Sequence, residues 1–186
     1  MNQQIPEPLS HDALRQILKE HALYINSRET KGQAVDLSLY SIEDFDFSNL
    51  DLSGVFAQST VFLRCQFINT DLSGANFDRT CAPGADFRGA NLVKTQFYMA
   101  DLRAACFDKA NLTRSEFIKS NLCCASFRAA NLCAVSISES DLNEAIFDGA
   151  DIEWAWFKNN QDKGASWNNT KGLTEKAKIQ QFHASM

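Results

Sequence analysis

Six cysteines and three histidines are the residues that could bind a metal or pair a nucleophile with its base. Structural metal sites need closely spaced ligands, typically C-x-x-C with a second such pair or with histidines. Cys65, Cys81, Cys106, Cys123, Cys124 and Cys133 contain no C-x-x-C, and no histidine falls between them. His11, His21 and His183 lie towards the two ends, so neither a cysteine nor a serine of the central region has an imidazole base nearby in sequence. The cysteines read as reduced, small, semi-polar fillers. A second set is a regular row of short polar residues: Asp71, Asn76, Asp86, Asn91, Asp101, Asn111, Asn121, Asn131, Asp141 and Asp151. A row of carboxylates suggests metal or acid–base chemistry, but here Asn and Asp interchange freely, and an amide cannot exchange a proton as a carboxylate does. Such side chains hydrogen-bond nearby backbone and favour turns. G-x-S-x-G, H-E-x-x-H, P-loop and G-x-G-x-x-G motifs are missing. The expectation is a protein with no catalytic residue, no cofactor and no metal, and hence no enzyme.

The element that positions the polar row is a five-residue frame. It runs from Val35 to Asn159 as 25 consecutive pentads without insertion or deletion. Every central residue is apolar, as in Phe67, Leu72, Phe77, Ala82, Phe87, Leu92, Phe97 and Leu102. The residue two before it is nearly always small from Thr60 onward, as in Ala75, Ala85, Ala90 and Ala100. Neither the helical period of 3.6 nor the strand period of 2 fits. A period of five with one large and one small inward slot needs a chain that turns every pentad. From Phe87 to Phe157 the large slots alternate Phe and Leu, with Ile at 137 and 152, so the underlying repeat is ten residues. A coil of four pentads then stacks residues 20 apart, placing Phe47, Phe67, Phe87, Phe107, Phe127 and Phe147 in one column.

The pattern Ala-[Asp/Asn]-[Leu/Phe]-x-x, seen at Ala85-Asp86-Phe87 and Ala110-Asn111-Leu112, resembles the pentapeptide-repeat family of bacterial proteins. The resemblance covers roughly residues 35–159. It implies an all-β solenoid, a right-handed quadrilateral parallel β-helix. With strands ~4.8 Å apart, about six coils make a rod about 30 Å long. The expected organisation is an N-terminal arm and capping helix over 1–34, the β-helix over 35–167, and a short C-terminal helix over 168–186. Ser10 is the expected N-cap of a helix over roughly 11–25, whose stripe of Leu14, Ile17, Leu18, Ala22 and Ile25 would seal the first coil. The frame is expected to fail after Asn159, because Asp162 occupies an inward slot; Trp167 is the expected lid. Leu173-Thr174 opens the last helix, with Ala177 and Phe182 on one side. In the family such a helix caps the coil end or mediates a homodimer through the C-terminal end.

With chemistry set aside, function is expected on the outer surface. Net charge is −5 and pI ≈ 5.2, which speaks against direct nucleic-acid binding. No membrane span and no signal peptide is read, giving a cytoplasmic expectation. Acidic ends flank a slightly basic middle, which holds nine bases and six acids between Arg64 and Arg128. Two surface candidates follow. Tyr98, Met99 and Ile118 follow large slots of one column and form a candidate protein-binding patch; Phe56, Val61 and Leu63 suggest a second. Glu139, Asp141, Glu144, Asp148, Asp151 and Glu153 form a candidate acidic patch. The leading expectation is a protein–protein interaction scaffold or regulator. The alternative, implied by the resemblance, is a DNA mimic that binds a type II topoisomerase (DNA gyrase or topoisomerase IV) and protects it from quinolones or peptide toxins.

Overall fold

The computed structural model describes residues 6–28 and 30–172. Each pentad forms one side of a square coil. The residue before each large slot pairs in parallel with its counterpart 20 residues on, through an unbroken series such as Asp71↔Asn91↔Asn111↔Asn131↔Asp151. The result is a parallel β-solenoid of about six turns, preceded by one helix.

Side one is anchored by the column Phe47 to Phe147 and side two by Leu52 to Ile152. Side three carries Leu37, Ala57, Phe77, Phe97, Phe117, Ile137 and Phe157. Side four carries Ile42, Phe62, Ala82, Leu102, Leu122, Leu142 and Asp162. The apolar anchors from Leu37 to Ile152 are at most 3% exposed. On side one the rings stack face to face, with centroids 4.8 Å apart from Phe47 to Phe67 and 4.9 Å from Phe127 to Phe147. The backbone ladder imposes that spacing, because strand separation and ring separation are the same repeat. The two alanine anchors have a packing reason. Phe62 on side four and Phe77 on side three approach to 5.8 Å, and Ala57 and Ala82 leave them room.

Corners are made by two devices. The Asp or Asn before the anchor accepts a hydrogen bond from the N–H two residues on, as in Asp71 from Ser73 (2.9 Å), Asn131 from Cys133 (3.0 Å) and Asp141 from Asn143 (2.9 Å). The fifth residue then adopts the left-handed conformation, for example Lys94 (φ 60°), Arg114 (φ 59°) and Trp154 (φ 61°). Where the small slot holds Thr, its hydroxyl donates to a carbonyl one coil back, as Thr70 does to Phe47 (2.8 Å) and Thr95 to Leu72 (2.8 Å). This satisfies a polar group that would otherwise be costly inside.

Among the described residues, six short strands follow the helix, where pairing runs over consecutive residues. β2 (Tyr40–Glu43) and β3 (Val61–Leu63) lie on side four near the start; β4 (Gln96–Tyr98), β5 (Glu116–Ile118), β6 (Ser136–Ser138) and β7 (Trp156–Lys158) form a four-stranded sheet on side three. The N-terminal segment is more than an extended arm. Its β1 (Glu7–Pro8) pairs with β2 and covers the exposed edge of the first coil. Helix α1 (His11–Asn26) follows, with the Ser10 hydroxyl accepting from Ala13 N–H. Its Leu14 and His21 are buried against the first coil, and Val35 N–H donates to His21 Nδ1 (3.2 Å).

At the other end, the ladder does not stop at Asn159 or at residue 167. Asp141↔Gln161, Ile146↔Ser166 and Asp151↔Lys171 continue it in register. Backbone pairing carries the chain on although the anchor is Asp162, which is only partly buried in this last coil; burial raises its carboxyl pKa. Trp167 ends the side-one column, stacked 4.1 Å from Phe147. The expected C-terminal helix, with Leu173, Thr174, Ala177 and Phe182, lies outside the described residues.

Candidate protein-binding face

The sheet of β4 to β7 gives side three the longest run of consecutive strand pairing among the described residues. Phe56, Asn76, Gln96, Glu116, Ser136 and Trp156 form one continuous ladder along it. Two residues on along each strand, Tyr98 pairs with Ile118, then Ser138 and Lys158. The strand alternation that buries Phe97 and Phe117 turns Gln96, Tyr98, Glu116 and Ile118 outward. Met99 sits at the adjoining corner with φ 56° and is half exposed. The structure therefore brings Tyr98, Met99 and Ile118 together on one side. A shallow cleft of ≈ 120 Å³ is lined by Tyr98, Ile118, Asp78, Gln96, Phe97 and Glu116. Asp78 is held in its floor by a hydrogen bond from Tyr98 N–H (2.9 Å).

This side also collects apolar surface that the sequence reading did not assign to it. Among the described residues, six large apolar side chains are exposed; Phe56, Met99, Trp154 and Trp156 lie on side three or its corner, and Trp154 is 81% exposed. Leu23 and Leu50 are the other two, on or beside α1. Val61 and Leu63 belong to β3 on side four, whereas Phe56 stands on the ladder of side three, so the three face two adjoining sides. The signal that places Phe56 and Trp156 together is their separation, five coils of 20 residues at the same slot.

The six acids are arranged differently. They encircle one coil as a belt across all four sides, and several are occupied. Glu139 lies 3.7 Å from Lys119. Asp141 and Asp151 accept the corner N–H bonds of Asn143 and Glu153. Asp148 accepts from Ser166 Oγ (2.5 Å) and Asn168 N–H (2.9 Å), and these bonds lower its pKa. Glu144 and Glu153 are exposed. The belt has no single flat side to offer, because the corner geometry uses its short carboxylates.

All six cysteines are free, and burial pushes the Cys65 thiol up to about 11. No group of three or more His, Cys, Asp or Glu with metal-holding geometry occurs among the described residues. No helix among them is long and apolar enough to cross a membrane.

Two family models match this ladder. That for a pentapeptide repeat region matches residues 60–132, and that for pentapeptide repeats in eight copies matches residues 125–159. The chain belongs to the pentapeptide-repeat family. Solved structures of pentapeptide-repeat proteins share its fold. A trypsin-treated form of QnrB1, a plasmid-mediated fluoroquinolone resistance protein, is 21% identical with a TM-score of 0.61; the match covers 74% of this chain and 70% of that one. HetL, a pentapeptide repeat protein involved in heterocyst differentiation regulation from the cyanobacterium Nostoc sp. strain PCC 7120, is 17% identical with a TM-score of 0.51; the match covers 81% of this chain and 92% of that one. No curated protein gives a significant match. At these identities the likeness to the pentapeptide-repeat structures speaks for the fold.

Proposed function

We propose that this pentapeptide-repeat protein is a non-enzymatic interaction scaffold, a stiff rod that offers side three to a protein partner. The observation that carries the reading is the outward-facing apolar cluster of half-exposed Met99 with partly exposed Tyr98 and Ile118 on the β4–β7 sheet. Scattered surface apolar residues are ordinary, but a contiguous group on one flat surface marks a contact site. Six free cysteines fit a reducing, cytoplasmic setting. A homodimer through the C-terminal end belongs to the same reading, and analytical ultracentrifugation of the full chain tests it. For the face itself, Tyr98→Ser with Ile118→Ser should leave the thermal melt unchanged, because both residues point outward. The same double variant should lose its partner in pull-downs from the native host. Undiminished capture would remove side three from consideration.

A second reading is a DNA mimic that engages DNA gyrase or topoisomerase IV and protects it from quinolones or peptide toxins. It is supported by the acidic belt of Glu139, Asp141, Glu144, Asp148, Asp151 and Glu153, and by the fold shared with a fluoroquinolone resistance protein. It expects the purified protein at micromolar concentration to inhibit gyrase supercoiling or relieve quinolone-induced cleavage. A null result in both assays would discard it.

A further inference from the structure

The apolar residues of side three fall into three islands along the rod. Phe56 is at one end, Tyr98, Met99 and Ile118 are in the middle, and Trp156 with Trp154 is at the other. From Phe56 to Tyr98, and from Ile118 to Trp156, the register advances two coils, or about 10 Å. Between Ile118 and Trp156 the surface drops to Ser136 and Ser138. Basic residues border the middle island at both corners. Lys94 and Arg114 stack along one corner, and Arg79 and Lys119 along the other, with Lys158 at the far end. Lys119 shares its charge with Glu139, but Arg79, Lys94, Arg114 and Lys158 are exposed and make no ion pair among the described residues. Within this border the exposed carboxylate is Glu116, while Asp78 is held in the cleft floor.

We infer that side three receives an acidic amphipathic α-helix of a partner protein, laid parallel to the rod axis. This rests on the protein-binding reading above and gives the partner a chemistry. A helix advances about 10.5 Å in seven residues and about 21 Å in fourteen, against about 24 Å for the five coils from Phe56 to Trp156, so apolar residues at i, i+7 and i+14 come within side-chain reach of the three islands in turn. Acids on its two flanks meet the two basic corners, and Glu116 keeps its central line free of carboxylates. The charge is complementary locally even though the whole chain is −5. A nucleic acid fits less well. The basic pairs stand on opposite borders with Glu116 between them, the surface is flat, and the acidic coils at either end repel phosphates.

The probe is a fluorescein-labelled peptide of about 18 residues, with Leu at i, i+7 and i+14 and Glu along both flanks, beside a twin carrying Lys for Glu. Anisotropy with the full chain should show the Glu peptide binding, more weakly as salt rises, and the Lys twin failing to bind. Lys94→Glu with Arg114→Glu should weaken the Glu peptide by about tenfold or more. A circular-dichroism melt confirms that this exposed double variant is folded. Failure of the Glu peptide to bind at high micromolar concentration, equal binding of the twin, or indifference to the charge reversal overturns the inference. Displacement of the peptide by oligothymidylate assigns the face to nucleic acid, and displacement through self-association assigns it to a second copy; either also overturns it. The parent reading is tested separately and can stand where the inference falls. If Tyr98→Ser with Ile118→Ser abolishes partner capture while the charge reversal does not, side three binds protein but not an acidic helix.

Discussion

At the residue scale, the fifth position of each pentad carries a constraint its side chains conceal. Lys94, Arg114, Met99, Ala129 and Trp154 all take positive φ, although none is the glycine or asparagine that usually advertises it. The sequence shows this position as variable because its side chain points to solvent, while the demand falls on the backbone. A β-branched residue there is the sharpest probe. Ala129→Val (φ 53°, exposed) should destabilise the fold by about 1–2 kcal/mol, and Ala129→Gly should be nearly neutral, read as urea midpoints. Asp162 is the other informative residue. Partial burial raises its carboxyl pKa, so its protonated form is favoured on folding. That contribution is present at low pH and lost as pH rises through the folded value. Asp162→Leu should therefore raise Tm at pH 7, by about 2–4 °C for each kcal/mol regained, with a smaller gain near pH 3. An equal gain at both pH values would show that ionisation is not the cause.

At the element scale, the coils were legible and the edges much less so. The five-residue frame with its small and large slots specified the solenoid, because both inward slots are read by size and polarity alone. α1 was legible too, from Ser10 and the Leu14 stripe. β1 was not, since a two-residue pairing of Glu7 and Pro8 leaves no periodicity. The last step of the ladder, beyond residue 167 to Lys171, was missed because backbone hydrogen bonds carry no side-chain signature. The candidate face was half legible. Tyr98, Met99 and Ile118 stand close in sequence, whereas Phe56 and Trp156 join them only once the 20-residue register is known. The α1 cap also has a pH response. Burial lowers the pKa of His21, with Asp51 opposing the effect, so the ring is favoured neutral in the folded state. The stabilisation is complete above the ordinary histidine value of 6.5 and is lost as pH falls towards the lowered one. Amide exchange in His11–Asn26 should quicken between pH 7.5 and 5.5, beyond intrinsic exchange, while the β4–β7 sheet is unaffected. His21→Gln should abolish the difference.

At the scale of the whole molecule, the rod behaves as a one-dimensional stack in which each coil depends on its neighbours. Phe107 lies between Phe87 (5.0 Å) and Phe127 (4.9 Å) and is fully buried. Phe107→Asp places an unpaired charge mid-column and should abolish the cooperative melt; Phe107→Ala should cost about 3–5 kcal/mol and keep it. A wild-type melt for the aspartate variant would refute the column.

The corner after every fifth residue has a further consequence for how such a chain can change its length. Duplicating one pentad between Phe56 and Tyr98 would turn everything downstream by a quarter revolution, setting Phe56 and Trp156 on different sides; the backbone ladder would close as before, with Phe columns meeting Leu columns at that one junction. A duplication of 20 residues would lengthen the rod and keep every outward column in line. The backbone ladder is thus indifferent to pentad number and the outer surface is not. Selection for a partner, acting through side three, would count residues in twenties where folding counts them in fives.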